Sequence, residues 1–201
     1  MVVAVKKDAS TVGRIVKQDA LRDQFPTHRH PKEFLESLGR AIATFGFLEE
    51  ILGKAIFALS AATPNDAAEV DAANEEWSRT WERALTDPLG HLVVNYEKAF
   101  RNHPNANTEE LEFLVRRLKD ASRIRNVLCH GSWRVPDGKG ASVPLFIDNK
   151  QNVFDTEVDC AFLDQVQRHV AELSCAVMNS VTLMGWQFPG SLGPRNPVKI
   201  D

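Results

Sequence analysis

Three residues near the middle of the chain could act together on a phosphate ester: Arg125, Asn126 and His130. A histidine can accept and donate protons near neutral pH, and an arginine can bind a phosphate and stabilise the charge of a transition state. An amide can orient either of them. Since the surrounding sequence contains no cluster of metal ligands at a known spacing, it predicts no bound metal and no cofactor. The chemistry that fits is a metal-free cleavage in which the 2′-hydroxyl of RNA is the nucleophile.

These residues must be positioned by the helix that the sequence predicts over residues 107–130. At about 100° per residue, Arg125 falls within about 40° of the apolar stripe of this helix. It therefore needs an acid, a phosphate or a partner subunit, because an unpaired buried charge is costly. His130 shares a face with Asn126 but lies about 140° from Arg125, so that the long arginine side chain must reach over for the two to meet. The stripe consists of Leu111, Leu114, Leu118 and Ala121.

The whole sequence predicts an all-α fold, an antiparallel bundle of about five helices. Apolar residues recur at three- and four-residue spacing, and breaker clusters separate the periodic stretches. Residues 133–155 differ, because turn signals alternate there with short apolar runs, and they predict a small β-hairpin or flap before the last helix. The helices are expected from about residue 32 to 62, 66 to 85, 88 to 101, 107 to 130, and from 156 or 159 to 184.

The composition is that of an ordinary globular protein. The chain has 201 residues, 43% of them hydrophobic, and a net charge of −3, so any site for a polyanion must be local. We expect a helical domain over residues 31–184, an irregular segment over 1–30 and a flexible tail over 185–201. The N-terminal residues lack the long apolar stretch typical of a signal peptide, no apolar run reaches about 18 residues, and the three cysteines fit no zinc pattern. A cytoplasmic protein with reduced thiols and no membrane contact is therefore expected.

Further candidates for binding substrate around the motif are Glu49, Arg123, Trp133 and Arg134. Glu49 lies on the apolar stripe of the first helix, where it could orient Arg125 or instead pair with a neighbouring lysine. Arg123 and Arg134 make the motif region locally basic, which a solvated helix face would explain equally well. Trp133 could form a wall of a cleft or simply pack in the core.

The pattern Arg-Asn-x-x-x-His at the end of a late helix of an α-bundle resembles the motif of the HEPN superfamily: an arginine, a polar residue, three further residues and a histidine. In this chain the motif runs from Arg125 and Asn126 to His130, and Gly131 and one more helix follow it. The resemblance covers roughly residues 31–184. Outside the motif it rests on the order and pattern of the helices rather than on identities.

The resemblance implies a homodimer of helical bundles whose two motifs face each other across a cleft. That cleft would be a metal-independent endoribonuclease site with Arg125, Asn126 and His130 as its catalytic residues. Many members of the superfamily act in toxin–antitoxin or defence systems, so RNA and an antitoxin-like protein are the implied partners. One subgroup carries a tyrosine two residues after the histidine, which a nucleotidyltransferase partner modifies; this chain has Ser132 there and departs from that subgroup.

Two other interpretations stay open at this point. The chain could be a non-catalytic HEPN-like module that binds a protein or a nucleotide, as some members of the superfamily do. It could also be a helical-bundle interaction protein in which Arg125 bridges an acidic neighbour in the core and His130 is a polar residue at a helix end. A basic cleft that contains Arg125–His130 pairs would favour the ribonuclease. An Arg125 held in a salt bridge away from any cleft would favour the interaction protein.

Overall fold

The computed structural model describes residues 17–60, 88–103, 106 and 108–190, and within them the fold is all-α. Two short 3-10 helices, Gln18–Ala20 and Thr27–Arg29, precede the first long helix. No described helix combines the length and the apolar character needed to cross a bilayer. The four α-helices of this part of the chain are α1 (Lys32–Ser60), α2 (Leu89–Arg101), α3 (Thr108–His130) and α4 (Cys160–Leu183).

These four helices confirm the periodicity of the sequence at their positions, with bounds close to those expected. The helix predicted over residues 66–85 lies outside the described residues, so the five-helix bundle stays a prediction. At the start of α2, Pro88 is the N-cap residue and not the first residue of the helix. At the start of α4, the Asp159 side chain accepts a hydrogen bond of 2.7 Å from the backbone N–H of Phe162, which satisfies a donor that a helix start leaves unpaired.

The centre of the bundle is α1, which packs mainly against α4 and α2, while α3 packs mainly against α2. Apolar residues return to one side of α1 every three or four positions, and Phe34, Leu48 and Leu52 are fully buried as a result. Leu118 of α3 and Leu173 of α4 are buried to the same degree. Removal of this apolar surface from water stabilises the bundle by about 25 cal/mol per Å².

The segment between α3 and α4 is not the β-hairpin that its turn signals predict. The chain is extended there, but over residues 131–159 no strand forms. The carboxylates of Asp137 and Asp148 each accept two backbone N–H groups of the residues that follow them, at 2.8 to 2.9 Å, and so hold two turns. The turn at Asp148 brings Ile147 opposite Val153, where the Phe154 N–H donates to the Phe146 carbonyl at 3.0 Å, but the pairing extends no further. What remains is three isolated antiparallel bridges: Ser132 with Leu145, Ser142 with Val158, and Ile147 with Val153.

Two hydrogen bonds link parts of the chain that are distant in sequence. Tyr96 of α2 is fully buried, and its Oη lies 2.6 Å from Ser180 Oγ of α4. Burial raises the pKa of Tyr96 to about 12. Trp186 donates from Nε1 to His103 Nε2 at 2.7 Å, and Phe188 is buried. The first residues of the predicted C-terminal tail thus pack on the bundle, and residues 191–201 lie outside the described residues.

Gly131 is the point at which α3 meets the extended segment, and no room is left there for a side chain. A Cβ atom at this position would lie 2.6 Å from the carbonyl oxygen of Val127 and 2.8 Å from Pro144 Cβ. The backbone of Gly131 is not in the left-handed region, and its N–H donates to the same Val127 carbonyl at 2.9 Å. Glycine is therefore required by close packing and not by a special backbone conformation.

We expect Gly131→Ala to lower the free energy of unfolding by about 1–3 kcal/mol, because overpacking of this kind forces backbone and side chains to shift. The matched control is Gly138→Ala in the same segment, where a Cβ would have nothing within 4 Å. The control should change the stability by less than about 0.5 kcal/mol. Urea unfolding followed by circular dichroism measures both, and equal effects would contradict the close approach.

Candidate functional site

Arg125 continues the buried stripe of α3, as its spacing predicts, and is paired with Glu49 of α1. Its Nε atom lies 3.2 Å from Glu49 Oε1, and the two side chains are 23% and 24% exposed. Each charge is therefore largely removed from water and offset by the other. The sequence left open whether Glu49 pairs with Arg125 or with a neighbouring lysine, and the structure shows the pair with Arg125.

The contact leaves the Glu49 carboxylate incompletely satisfied. Its Oε1 atom is shielded from solvent and accepts no hydrogen bond from the described residues, although it lies within ion-pair distance of Arg125. The interaction is thus Coulombic and lacks the direction of a hydrogen bond. Because a guanidinium carries five N–H donors, Arg125 keeps donors available for a further acceptor.

His130 is brought against the same guanidinium. Arg125 Nη1 lies 3.4 Å from His130 Nε2. Since a guanidinium only donates, Nε2 must be the unprotonated nitrogen in this contact, and a neutral ring then carries its proton on Nδ1. His130 is exposed and is the last residue of α3, so the arginine side chain reaches it across the end of the helix. We call Glu49, Arg125 and His130 the motif cluster.

Asn126 has different surroundings from the other two motif residues. It lines a groove of about 330 Å³ between α3 and the extended segment, together with Arg123. Its carboxamide makes no hydrogen bond with the described residues. Of the three residues that the sequence predicts as catalytic, the structure brings only Arg125 and His130 into contact. Asn126 lines the groove instead.

The other candidates for substrate binding lie on separate surfaces. Arg123 is exposed at the groove. Trp133 is half-buried and packs edge-on against Phe34 of α1, with ring centroids 5.2 Å apart, so it joins the extended segment to the core. The side chain of Arg134 is exposed, and its backbone carbonyl accepts a hydrogen bond of 2.7 Å from Ser142 Oγ.

Cys129 lies beside the motif cluster. The sequence predicts only that its thiol is reduced. Burial raises the pKa of this thiol, Arg125 acts in the opposite direction, and Glu49 raises the pKa further. Because the thiolate is the reactive form, a raised pKa makes Cys129 a poor nucleophile at neutral pH. The acid–base chemistry of the cluster is left to His130.

The motif cluster can bind an anion and move a proton. Arg125 offers charge and unused donors, and His130 offers an imidazole nitrogen beside them. Within the described ranges, no group of three or more histidine, cysteine, aspartate or glutamate side chains could hold a metal ion.

The groove itself is a functional candidate that the sequence did not reveal. Its outer wall comes from Phe146, Asp148 and Phe154 of the extended segment. The sequence contains a signal for these residues, since a short apolar run is followed by a turn at Asp148, but this pattern predicts a hairpin rather than a groove wall. Only the folded chain shows that this run faces α3.

No protein family model, curated protein or solved structure matches this chain. The class of the molecule therefore follows from its own fold and site. It is a helical protein in which an arginine and a histidine at the end of one helix share a cluster with a glutamate of another helix.

We expect Glu49→Gln to lower the free energy of unfolding by about 1–3 kcal/mol, because loss of one partner leaves the Arg125 charge uncompensated in a partly buried site. The neighbouring Glu50→Gln is the control. Glu50 pairs with Lys54 at 2.6 Å on the helix surface, and such pairs contribute only about 0.3–0.5 kcal/mol. Urea unfolding at low salt gives both values.

A double-mutant cycle makes this test specific to the pair. Arg125→Gln should cost less stability in the Glu49→Gln background than in the wild type, because the charge that it removes is already unpaired. Strictly additive effects would show that the two side chains do not interact.

Proposed function

We propose that this chain is a HEPN-like homodimeric protein that cleaves RNA without a metal ion, as a toxin or defence effector, through Arg125 and His130. The observation that carries the proposal is the 3.4 Å contact between Arg125 Nη1 and His130 Nε2 at the end of α3. A phosphate and a transferable proton would meet at this point. The all-α fold and the position of the motif at the end of a late helix support the same class.

The proposed reaction needs only groups of this kind and the substrate. The Arg125 guanidinium turns to the phosphate and releases His130 Nε2. The 2′-oxygen of the ribose then attacks the adjacent phosphorus, and His130 Nε2 accepts the proton of that hydroxyl. The bond from phosphorus to the 5′-oxygen breaks, and the leaving oxygen takes a proton from water or from the His130 of the partner subunit. Arg125 stabilises the extra negative charge on the phosphate. The products are a 2′,3′-cyclic phosphate and a free 5′-hydroxyl.

Dimerisation belongs to this proposal because one motif cluster supplies only one histidine. In a two-fold dimer, each motif would lie opposite its copy and the two would share one cleft. An antitoxin-like protein that covers this cleft is the proposed partner in the cell.

Non-catalytic binding of a nucleotide or of a protein is the second candidate, and the Glu49–Arg125 pair favours it. A carboxylate 3.2 Å from the guanidinium competes with any phosphate for the same charge. In that case Arg125 would hold a phosphate only weakly, and no phosphate ester would be positioned beside His130.

The cleavage proposal predicts activity in excess EDTA that depends on two residues. Arg125→Ala and His130→Ala should each reduce the rate of cleavage of a mixed RNA pool by roughly 10²–10³, since the loss of a charge-stabilising or orienting group has effects of this size. End-group analysis should find 2′,3′-cyclic phosphates in the wild-type products. Circular dichroism should show that both variants stay folded.

Matched controls are His91→Ala on α2 and Arg168→Ala on α4, both exposed in the structure, and both should cleave at the wild-type rate. Loss of activity in EDTA, or an unchanged rate in His130→Ala, would refute the mechanism. Binding of RNA without cleavage by the wild type would favour the second candidate.

The assembly proposal predicts a dimer at micromolar concentration. Light scattering coupled to size exclusion should give twice the chain mass of 22.5 kDa. A monomer at that concentration would remove the shared cleft, and with it the second histidine of the proposed reaction.

A further inference from the structure

The groove that contains Asn126 is a second candidate site, separate from the motif cluster. Its volume of about 330 Å³ is at the lower end of the range for small-molecule sites. Its α3 wall is apolar at Ile124 and Val127, and the opposite wall carries two aromatic side chains, Phe146 and Phe154. A ligand with flat apolar faces would contact both walls.

The polar groups of the groove are only partly occupied. Asn126 has one amide oxygen and one amide NH₂ without partners among the described residues, and Asp120 makes no hydrogen bond or ion pair with those residues either. Asp148 is occupied instead. It accepts hydrogen bonds from the side chain and the backbone N–H of Asn152, and these bonds lower its pKa. The polar groups of the groove that have no partner among the described residues, the Asn126 carboxamide and the Asp120 carboxylate, thus both belong to α3.

We propose that this groove binds one nucleobase of single-stranded RNA. A nucleobase combines two flat faces, which aromatic side chains recognise, with an edge of donors and acceptors. A carboxamide can pair with such an edge, and a carboxylate such as Asp120 can accept from an exocyclic amino group. Arg123, at the same groove, is exposed, and its charge helps to lower the pKa of Asp148; in this proposal its guanidinium also contacts the phosphate of that nucleotide.

A protein ligand matches the groove less well. An apolar side chain of a peptide would fill the space between the walls but has no polar edge for Asn126, whose half-buried carboxamide would lose its water without a replacement, which is unfavourable. A base satisfies both the apolar and the polar part of the lining.

The position of the groove relates it to the motif cluster. Asn126 and His130 lie four residues apart on one face of α3, about one helical turn from each other. A base held in the groove would therefore place the neighbouring part of the same strand at His130. The inference rests on the proposed function in this respect, because it takes RNA as the ligand and assigns the groove to the nucleotide next to the cleaved bond.

The experiment measures binding in the absence of cleavage. The probe is a short fluorescein-labelled cytidine strand with a 2′-O-methyl group on every ribose, which lacks the nucleophilic hydroxyl. A matched abasic strand keeps the phosphates and removes the bases. The full chain is compared with Val153→Glu, whose side chain is 61% exposed and lines the groove, and with Val135→Glu, which is 58% exposed and lies outside the groove lining.

Fluorescence anisotropy should show that the wild type binds the cytidine strand about tenfold more tightly than the abasic strand, a modest value for the stacking of one base. Val153→Glu should abolish this difference, and Val135→Glu should keep it. Equal binding of both strands by the wild type, no detectable binding of either, or equal behaviour of the two variants would overturn the proposal.

These outcomes are independent of the cleavage assay. A protein that discriminates between the strands but never cleaves RNA would refute the ribonuclease and leave the groove as a nucleotide site. Cleavage by the wild type with no strand discrimination would refute the groove alone.

Discussion

The close approach at Gly131 is the constraint on which both candidate sites depend. Because Gly131 has no side chain, Pro144 packs directly on the last turn of α3 and holds the extended segment against the helix. At the end of the helix, His130 lies within reach of Arg125. About one turn earlier, the aromatic residues of the extended segment lie opposite α3 and form the groove. A single close contact therefore joins the segment that forms the outer wall of the groove to the end of the helix that carries the motif.

The motif cluster places a charged residue where the rest of the helix face is apolar. A charged residue in an apolar stripe is costly, and Glu49 offsets that cost without a full set of hydrogen bonds. A bundle selected for stability alone would place a leucine at Arg125, in line with the rest of the stripe. Buried polar groups that are incompletely satisfied are rare in native proteins and are expected at functional sites. The donors that Glu49 leaves unused on Arg125 are those that a phosphate would take.

The sequence predicts those parts of the molecule that depend on local periodicity. The positions of Glu49 and Arg125 on two apolar stripes made their pairing one of two alternatives, because a stripe defines which side of a helix faces its neighbours; the competing pair of Glu49 with a lysine of its own helix could be excluded only in the structure. The surroundings of Asn126 could not be predicted in this way, since they depend on where the extended segment returns to α3. The prediction of a β-hairpin was wrong for the same reason. Turn signals show where the chain reverses, but they do not show how far the two arms stay paired, and here the contact of Ser132 with Leu145 is an isolated bridge.

Tyr96 is the only tyrosine in the chain, and its buried hydroxyl joins α2 to α4. Its pKa is raised from 10.0 to about 12, so the phenol stays neutral in the folded protein over a pH range in which an unfolded chain ionises. Unfolding in this range releases a proton, and as the pH rises the folded state loses about 1.4 kcal/mol of stability per pH unit through this residue. The near-ultraviolet absorbance of phenolate therefore reports the separation of α2 from α4. The molecule carries an intrinsic optical probe of its own alkaline unfolding.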